Sequence, residues 1–452
     1  MSEGVQLLAG FAAGVRLLGL PPEATGHHLR GKSDPVFRLP DRTEEILLTN
    51  ATSFFRTGTM LPAMQAEVRQ TFRAEFGHEA SLVVAAPGRI NLMGEHVDYN
   101  DGFVLPLAID RYVVVAAACR NNRDAERAVR LHSIAVPETT SIALTGELCP
   151  AGGHWSDYVT GVIAGFQKNH RPIPDFDAVI GSTVPIGAGL SSSAALEVAF
   201  ATLFERLTGH HLGLTEKALL CQEAEHAFAG VPCGIMDQFS STFAIPDQLM
   251  LIDCKTHEVF PVPLDTTEVS VLIINSNVAH ALNQGEYAVR RIESEHALQK
   301  TGKPSWRDVS PTDLGEAQSA MSRVEFQRAR HIVTEISRTQ ETARAISESS
   351  WPAVGDCMFA SHDSLRDDFQ VSCPELDLLV DFGRELTGEG GVFGTKMTGG
   401  GFGGCTVSLV RTEKIAEIAE AIGSQYRAAT GISPTCFPAR PARGAHIVWE
   451  AA

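Results

Sequence analysis

Arg89, Glu95, His96 and Asp98 stand close together in residues 86–106, Ala-Pro-Gly-Arg-Ile-Asn-Leu-Met-Gly-Glu-His-Val-Asp-Tyr-Asn-Asp-Gly-Phe-Val-Leu-Pro. Apolar runs flank them, Leu82 to Ala85 before and Phe103 to Ala118 after, so two strands are expected around a polar loop. Charges that dense are costly to bury unless something pairs with them, and a polyhydroxylated small molecule would. Glu95 and Asp98 can accept hydrogen bonds, His96 can donate or accept, and Arg89 can hold an anion or a developing alkoxide. A solvated surface loop is the competing reading.

A second stretch, residues 185–195, reads Pro-Ile-Gly-Ala-Gly-Leu-Ser-Ser-Ser-Ala-Ala and leads into an expected helix from Ser192 to Leu207. Gly187 and Gly189 let the backbone curl so that successive N–H groups point at one anion, and the helix dipole adds to the attraction. Ser191, Ser192 and Ser193 can cap the helix, bond phosphate oxygens or ligate magnesium. A serine-capped helix after a glycine turn would look the same. No GxxxxGK[ST] run is present, which excludes a Walker-type loop.

Two further segments carry chemistry. Val-Pro-Cys-Gly-Ile-Met-Asp-Gln-Phe, residues 231–239, places Asp237 among apolar neighbours. Phosphoryl transfer to a hydroxyl needs a proton acceptor, and Asp237 beside Arg89 would stay ionised and serve; a helix-capping role is the alternative. Residues 394–405, Gly-Thr-Lys-Met-Thr-Gly-Gly-Gly-Phe-Gly-Gly-Cys, contain GxGxxG but precede an expected strand rather than a helix, which excludes a dinucleotide fingerprint. So many glycines imply close backbone approach or positive φ at several positions.

In that order these segments resemble the motifs of galactokinases, sugar kinases of the GHMP superfamily, from about Met60 to the tail at Arg443-Gly444-Ala445. The resemblance implies an α+β, two-lobed GHMP-kinase-like fold with the active site in the cleft between the lobes. It implies ATP-dependent phosphorylation of α-D-galactose at the anomeric hydroxyl, giving α-D-galactose 1-phosphate and ADP. Asp237 and Arg89 would be catalytic, and Glu95, His96, Asp98, Gly234 and Tyr287 would bind the sugar. Gly187, Ala188, Gly189, Leu190 and Ser191 to Ser193 would bind ATP, and the glycine loop would fold over the site and steady them. Ser193 and Glu225 would hold Mg2+, with Glu223 a nearby decoy and a solvated helix position the alternative for Glu225. Tyr287 could equally be packed at a helix start. Val97 stands where galactokinases usually carry Thr, which keeps open N-acetylgalactosamine, arabinose or another sugar as substrate. A non-catalytic sugar sensor would be expected to lose the phosphate loop, base or metal ligand, and here all are present.

At 452 residues the chain is too long for one compact core. The reading divides it into an extension of unknown role (1–58, with helices expected at Val5–Leu18 and Thr43–Phe55), an N-terminal domain (59–240) and a C-terminal domain (241–452). A net charge of −17 argues against nucleic acid or anionic lipid as partner, so an ATP site must rest on local positive potential. Nine scattered cysteines without a CxxC pair argue against disulfides or zinc and for a reducing cytoplasm. Neither a signal peptide nor a spanning segment is expected, and a monomer taking only small molecules is the simplest partner reading.

Overall fold

The structure is a computed structural model that describes residues 60–120, 127–185, 187–279 and 283–451. The expected N-terminal helices lie outside these residues. The described residues form one compact unit.

The order of elements is α1 (Met60–Phe76), β1 (Leu82–Asn91), β2 (Phe103–Val104), β3 (Pro106–Cys119), β4 (Ala128–Ser133), β5 (Glu138–Ala143), α2 (Ser156–Lys168), β6 (Phe176–Ser182) and α3 (Ser192–Thr208). Next come α4 (Leu214–Ala224), a π-turn (Glu225–Ala229), α5 (Met236–Phe243), β7 (Gln248–Asp253), β8 (Glu258–Pro263), β9 (Val269–Ala279), α6 (Asn283–Thr301) and α7 (Pro311–Ala317). The chain ends with α8 (Arg323–Ser347), α9 (Trp351–Ser364), α10 (Pro374–Glu385), β10 (Val392–Thr398), β11 (Gly403–Arg411), α11 (Ile415–Thr430), β12 (Thr435–Ala439) and β13 (His446–Glu450). The architecture is α+β.

Three sheets organise these elements, ordered β13-β1-β3-β6-β4-β5, β10-β11-β9-β12 and β2-β7-β8. All pairings are antiparallel except β4 with β6. In β1 and β3 both faces are buried, which is why their sequences read as apolar runs rather than alternating ones. Val83, Ala85, Val114 and Ala116 pack with Val68 and Phe72 of α1. Val84, Ala86, Val113 and Val115 pack on the other side with Phe200 and Phe204 of α3. Each of those phenylalanines, fully buried, contributes about 1.5–3 kcal/mol relative to exposure. In the second sheet Leu272 and Ile274 face α10 and α11, while Val271 and Ile273 face the side carrying Val354 and Met358 of α9.

Three features depart from the sequence reading. In α3 the apolar positions Leu196, Phe200, Leu203 and Leu207 recur at the spacing of one buried face, yet the helix is buried on every side from Ala194 to Glu205, because helices and sheet surround it. The glycine stretch 394–405 is not wholly a loop: its first residues form β10, and the remainder turns into β11 as an antiparallel hairpin. Third, β13 returns from the C-terminus to pair with β1, so the first sheet draws on both ends of the described chain. No helix among the described residues is long and apolar enough to cross a membrane.

A close helix–strand approach, between α9 and β10, depends on glycine. A Cβ on Gly355 would lie 1.9 Å from the Phe393 carbonyl oxygen, so something must shift. Gly355→Ala should therefore lower stability in urea unfolding by about 1–3 kcal/mol, through overpacking. Gly315 in α7 has open space around it, so Gly315→Ala should be neutral or stabilising by up to about 1 kcal/mol. Equal effects at the two positions would contradict the packing described.

Candidate active site

Between Pro87 and Arg89 the register of β1 against β3 shifts, a bulge at which the Arg89 N–H turns to the phosphate loop. Gly88 makes this possible, since a Cβ there would lie 2.6 Å from the Leu190 carbonyl oxygen. The Leu190 carbonyl in turn accepts the Arg89 N–H at 3.1 Å, joining β1 to the phosphate loop. The guanidinium then donates from Nε to Asp237 Oδ1 at 2.8 Å and from Nη1 to the Gly189 carbonyl at 2.7 Å. Its Nη2 lies 2.7 Å from the same Asp237 oxygen. The Ser191 hydroxyl donates to Asp237 Oδ2 at 2.6 Å.

Ser191 has φ +58°, the left-handed region, and its hydroxyl makes no capping bond to α3. Gly187 and Gly189 also have positive φ, so left-handed residues alternate with ordinary ones, the conformation that gathers successive N–H groups into an anion nest. Ala188 and Leu190 are buried in the core beneath it. The glycine hairpin presses on the nest from above. A Cβ on Gly399 would come within 3.1 Å of the Gly189 carbonyl oxygen, and one on Gly404 within 3.2 Å of that of Ala188.

Arg89, Asp237, Glu95, His96, Asp98, Tyr287, Glu225, Gly187, Gly189, Leu190 and Ser191 to Ser193 all line one cleft of about 290 Å³. Of the residues singled out in the sequence, Ala188 and Gly234 do not line it. Gly234 leaves room for Asp98 instead, whose Oδ2 sits 1.9 Å from where a Cβ would be. Val97 packs in the core against Gly102, so the position that departs from the usual threonine does not face the cleft.

The electrostatics follow from burial. Asp98 is pushed up to about 7 by desolvation and then by the Asp237 charge, with Arg89 opposing. His96 is driven down to about 3, chiefly by burial, and is neutral. Its Nε2 lies 3.2 Å from the Gly400 carbonyl, which can only accept, so Nε2 carries the proton and Nδ1 accepts from the Tyr99 hydroxyl at 2.8 Å. Both ring nitrogens thus serve the protein, and a sugar hydroxyl would exchange with one of them. The His96 ring also lies tilted against Tyr287 and Phe369, with centroids 5.5 Å and 4.8 Å away.

Glu225 is raised to about 7 by desolvation and the Asp237 charge, while hydrogen bonds from Cys233, Ser193 and Gln238 pull it down. Glu197, one turn beyond Ser193 on α3, is wholly buried and pushed well above the carboxylate range by burial and Glu225. Gln238 Nε2 donates to both, at 2.6 Å to Glu225 Oε2 and 3.1 Å to Glu197 Oε2. Glu197 Oε1 has no partner among the described residues. Three carboxyl groups therefore converge beside one guanidinium. A hard cation suits this donor set: Ser193 and Glu225 supply a hydroxyl and a carboxylate, and magnesium takes only one or two protein ligands beside phosphate and water. Among the described residues no group of three or more His, Cys, Asp or Glu could hold a metal without such help. Sequence reasoning missed Glu197 and Gln238. The Gln238 side chain follows Asp237 directly, but nothing local shows that it bridges two helices.

The family model described as the galactokinase galactose-binding signature matches residues 70–119. The models of the GHMP kinases N terminal domain and C terminal region match residues 157–244 and 342–428. The chain is 42% identical over 407 residues to a galactokinase of Canis lupus familiaris, covering 88% of this chain and 99% of that one. It is also 42% identical over 386 residues to a galactokinase of Homo sapiens, covering 85% and 96%. The crystal structure of Lactococcus lactis galactokinase complexed with galactose superposes with a TM-score of 0.79 at 29% identity, covering 84% of this chain and 98% of that one. The Methanococcus jannaschii mevalonate kinase, at 19% identity and a TM-score of 0.57 over 80% of this chain and 99% of that one, shares the fold. At 42% identity along nearly the whole length of these curated relatives, the chain belongs to the galactokinase family of GHMP kinases.

Proposed function

We infer that the chain transfers the γ-phosphoryl group of ATP to the anomeric hydroxyl of α-D-galactose, giving α-D-galactose 1-phosphate and ADP. The observation that carries this reading is the contact of Asp237 with Arg89 and Ser191 at the mouth of the anion nest. Family membership supports the same activity.

Asp237 accepts the proton of the anomeric hydroxyl as that oxygen attacks the γ-phosphorus; one O–P bond forms and the bond to the β-phosphate oxygen breaks. The Asp237 carboxylate already receives three N–H or O–H groups, which fix its orientation, and it keeps lone-pair capacity for the proton. Arg89 stands beside the developing alkoxide and, through Gly189, ties that point to the nest. Residues Gly187 to Ser193 cradle the phosphates, and Glu95, Asp98 and Tyr287, with His96, hold the sugar. Ser193 and Glu225 would hold magnesium, which would offset phosphate charge when bound.

We further propose two lobes, 59–240 and 241–452, with β13 returned to the first, and an extension, 1–58, whose role is unassigned. The nine cysteines are free, which fits a reducing cytoplasm, and one chain supplies the cleft, which fits a monomer.

Asp237→Ala should lower kcat by about 100- to 10,000-fold, the usual size of a general-base contribution, while galactose binding by calorimetry persists. Near wild-type turnover would remove Asp237 from the mechanism. Galactose should also exceed N-acetylgalactosamine and arabinose in kcat/KM, and a faster rival would correct the substrate.

Asp98 yields a test of stability. A carboxyl whose folded pKa is raised stabilises the fold below its unfolded pKa, and that contribution is lost as pH climbs through about 7. Asp98→Asn should thus stabilise the ligand-free protein by about 1–2 kcal/mol at pH ~8 and by less at pH ~5, while weakening galactose binding. Denaturant unfolding at the two pH values measures this; an equal gain at both would refute the protonation argument.

A further inference from the structure

Behind the sugar loop lies a set of buried charges that the mechanism above does not use. α8 presents His331, Glu335 and Arg338 at helical spacing on one face. The Glu335 carboxylate accepts the Gly94 N–H at 3.0 Å and the Ser361 hydroxyl at 2.7 Å through Oε1, and Arg338 Nε–H at 2.9 Å through Oε2. The partners keep it ionised, down at about 2 against the pull of burial. His331, neutral with its pKa driven down to about 4 by burial, donates from Nε2 to the Glu95 carbonyl at 3.1 Å. The backbone of Gly94-Glu95 is therefore held from a helix more than two hundred residues away in sequence.

The side chain of Glu95 is held separately. Lys396, wholly buried on β10, places its ammonium on Glu95 Oε2 and on the Met397 carbonyl, the latter at 2.8 Å. The other oxygen, Glu95 Oε1, is buried, has no partner among the described residues, and belongs to a side chain that lines the cleft. Burial and the Glu335 charge favour the protonated acid, while Lys396 and Arg89 favour the carboxylate.

We propose that Lys396 is a specificity-determining positioning residue: by holding Oε2 of Glu95 it leaves Oε1 as a fixed, unshared acceptor for one hydroxyl of the sugar. This rests on the reading of the cleft as a galactose site. A sugar lacking that hydroxyl strands a buried acceptor, whereas a carboxyl freed from Lys396 can turn, or take a proton and donate instead. The selectivity comes from immobilising one lone pair, and Lys396 touches no substrate itself.

The test is a chemical cycle of kcat/KM for galactose and its monodeoxy derivatives at carbons two, three, four and six. Wild-type enzyme should lose about 10- to 100-fold at the position that Glu95 reads, the range for a hydrogen bond to a charged group. In Lys396→Met that penalty should fall below about threefold, the penalties elsewhere and the KM for ATP staying within about threefold of wild type. A structural role alone would not move one deoxy penalty and spare the others. Because Lys396→Met leaves the cluster one cation short, Lys396→Met/Glu335→Gln restores the charge balance and repeats the cycle with the same expectation. Lys396→Arg keeps the cation and should keep the penalty. The proposal is overturned if either methionine variant retains the wild-type pattern, or if Lys396→Arg loses it as fully as Lys396→Met. A wild-type enzyme that ignores galactose, or all four deletions, would overturn the galactose reading instead.

Discussion

The contact between Arg89 and Asp237 governs the geometry of everything around it. A guanidinium almost excluded from water must have its N–H groups matched, and the two available acceptors are the Asp237 carboxylate and the Gly189 carbonyl. Satisfying both draws α5 and the phosphate loop onto the bend in β1. Gly88 is then required where Leu190 approaches, and Ser191 is held left-handed so that its hydroxyl reaches Asp237 rather than the first turn of α3. A non-glycine residue in that region costs on the order of 1–3 kcal/mol, tolerable only where several contacts dictate it. Here the same knot that strains the backbone fixes the Asp237 carboxylate beside an anion nest.

What was legible in the sequence is local chemistry. The nest, the segment around Asp237 and the sugar loop each carry their meaning within about ten residues, because turn glycines, helix starts and isolated carboxylates act at that range. The partners of these residues act at long range and leave no local mark. Glu197 reads as the polar side of an amphipathic helix until the second layer of packing shows that α3 has no solvent side. Glu335 and His331 sit in a charged helix of unremarkable pattern, and only the fold brings them to Gly94 and Glu95. Lys396 was visible in its glycine-rich segment, but as part of a loop; its place on β10 follows from pairing with β11, which spacing alone does not dictate. Short strands such as β5 and β8 escaped for other reasons: β5 has few apolar residues, and β8, though mostly apolar, is largely exposed and carries two prolines, which argue against a strand.

Net charge sharpens the electrostatic argument. A chain of charge −17 that binds a polyphosphate gathers three carboxyl groups, Glu197, Glu225 and Asp237, near the point of transfer. With Glu225 raised to about 7, the ligand-free cleft pays for this crowding by taking up protons near neutrality. On the function proposed above, a cation held by Ser193 and Glu225 would offset this repulsion, while the nest would supply the dipoles for the phosphate. The crowding costs stability, because neutral residues in these places would be cheaper to bury.

The three glycine-dependent segments are also bound to one another. His96 of the sugar loop donates to Gly400 of the hairpin, whose neighbours Gly399 and Gly404 lie against Gly189 and Ala188 of the nest. The Thr398 hydroxyl completes the circuit by donating to the Asn91 carbonyl at 2.9 Å and accepting the Asn91 N–H at 3.1 Å. A displacement of the sugar loop therefore moves the roof of the phosphate site through bonded contacts, without any change of fold. Coupling of this kind needs small residues, since a side chain at Gly399 or Gly404 would hold the hairpin off the nest. The density of glycine in that segment is thus a packing requirement, set by how closely the hairpin must lie against Ala188 and Gly189 while Thr398 and Gly400 bond to Asn91 and His96.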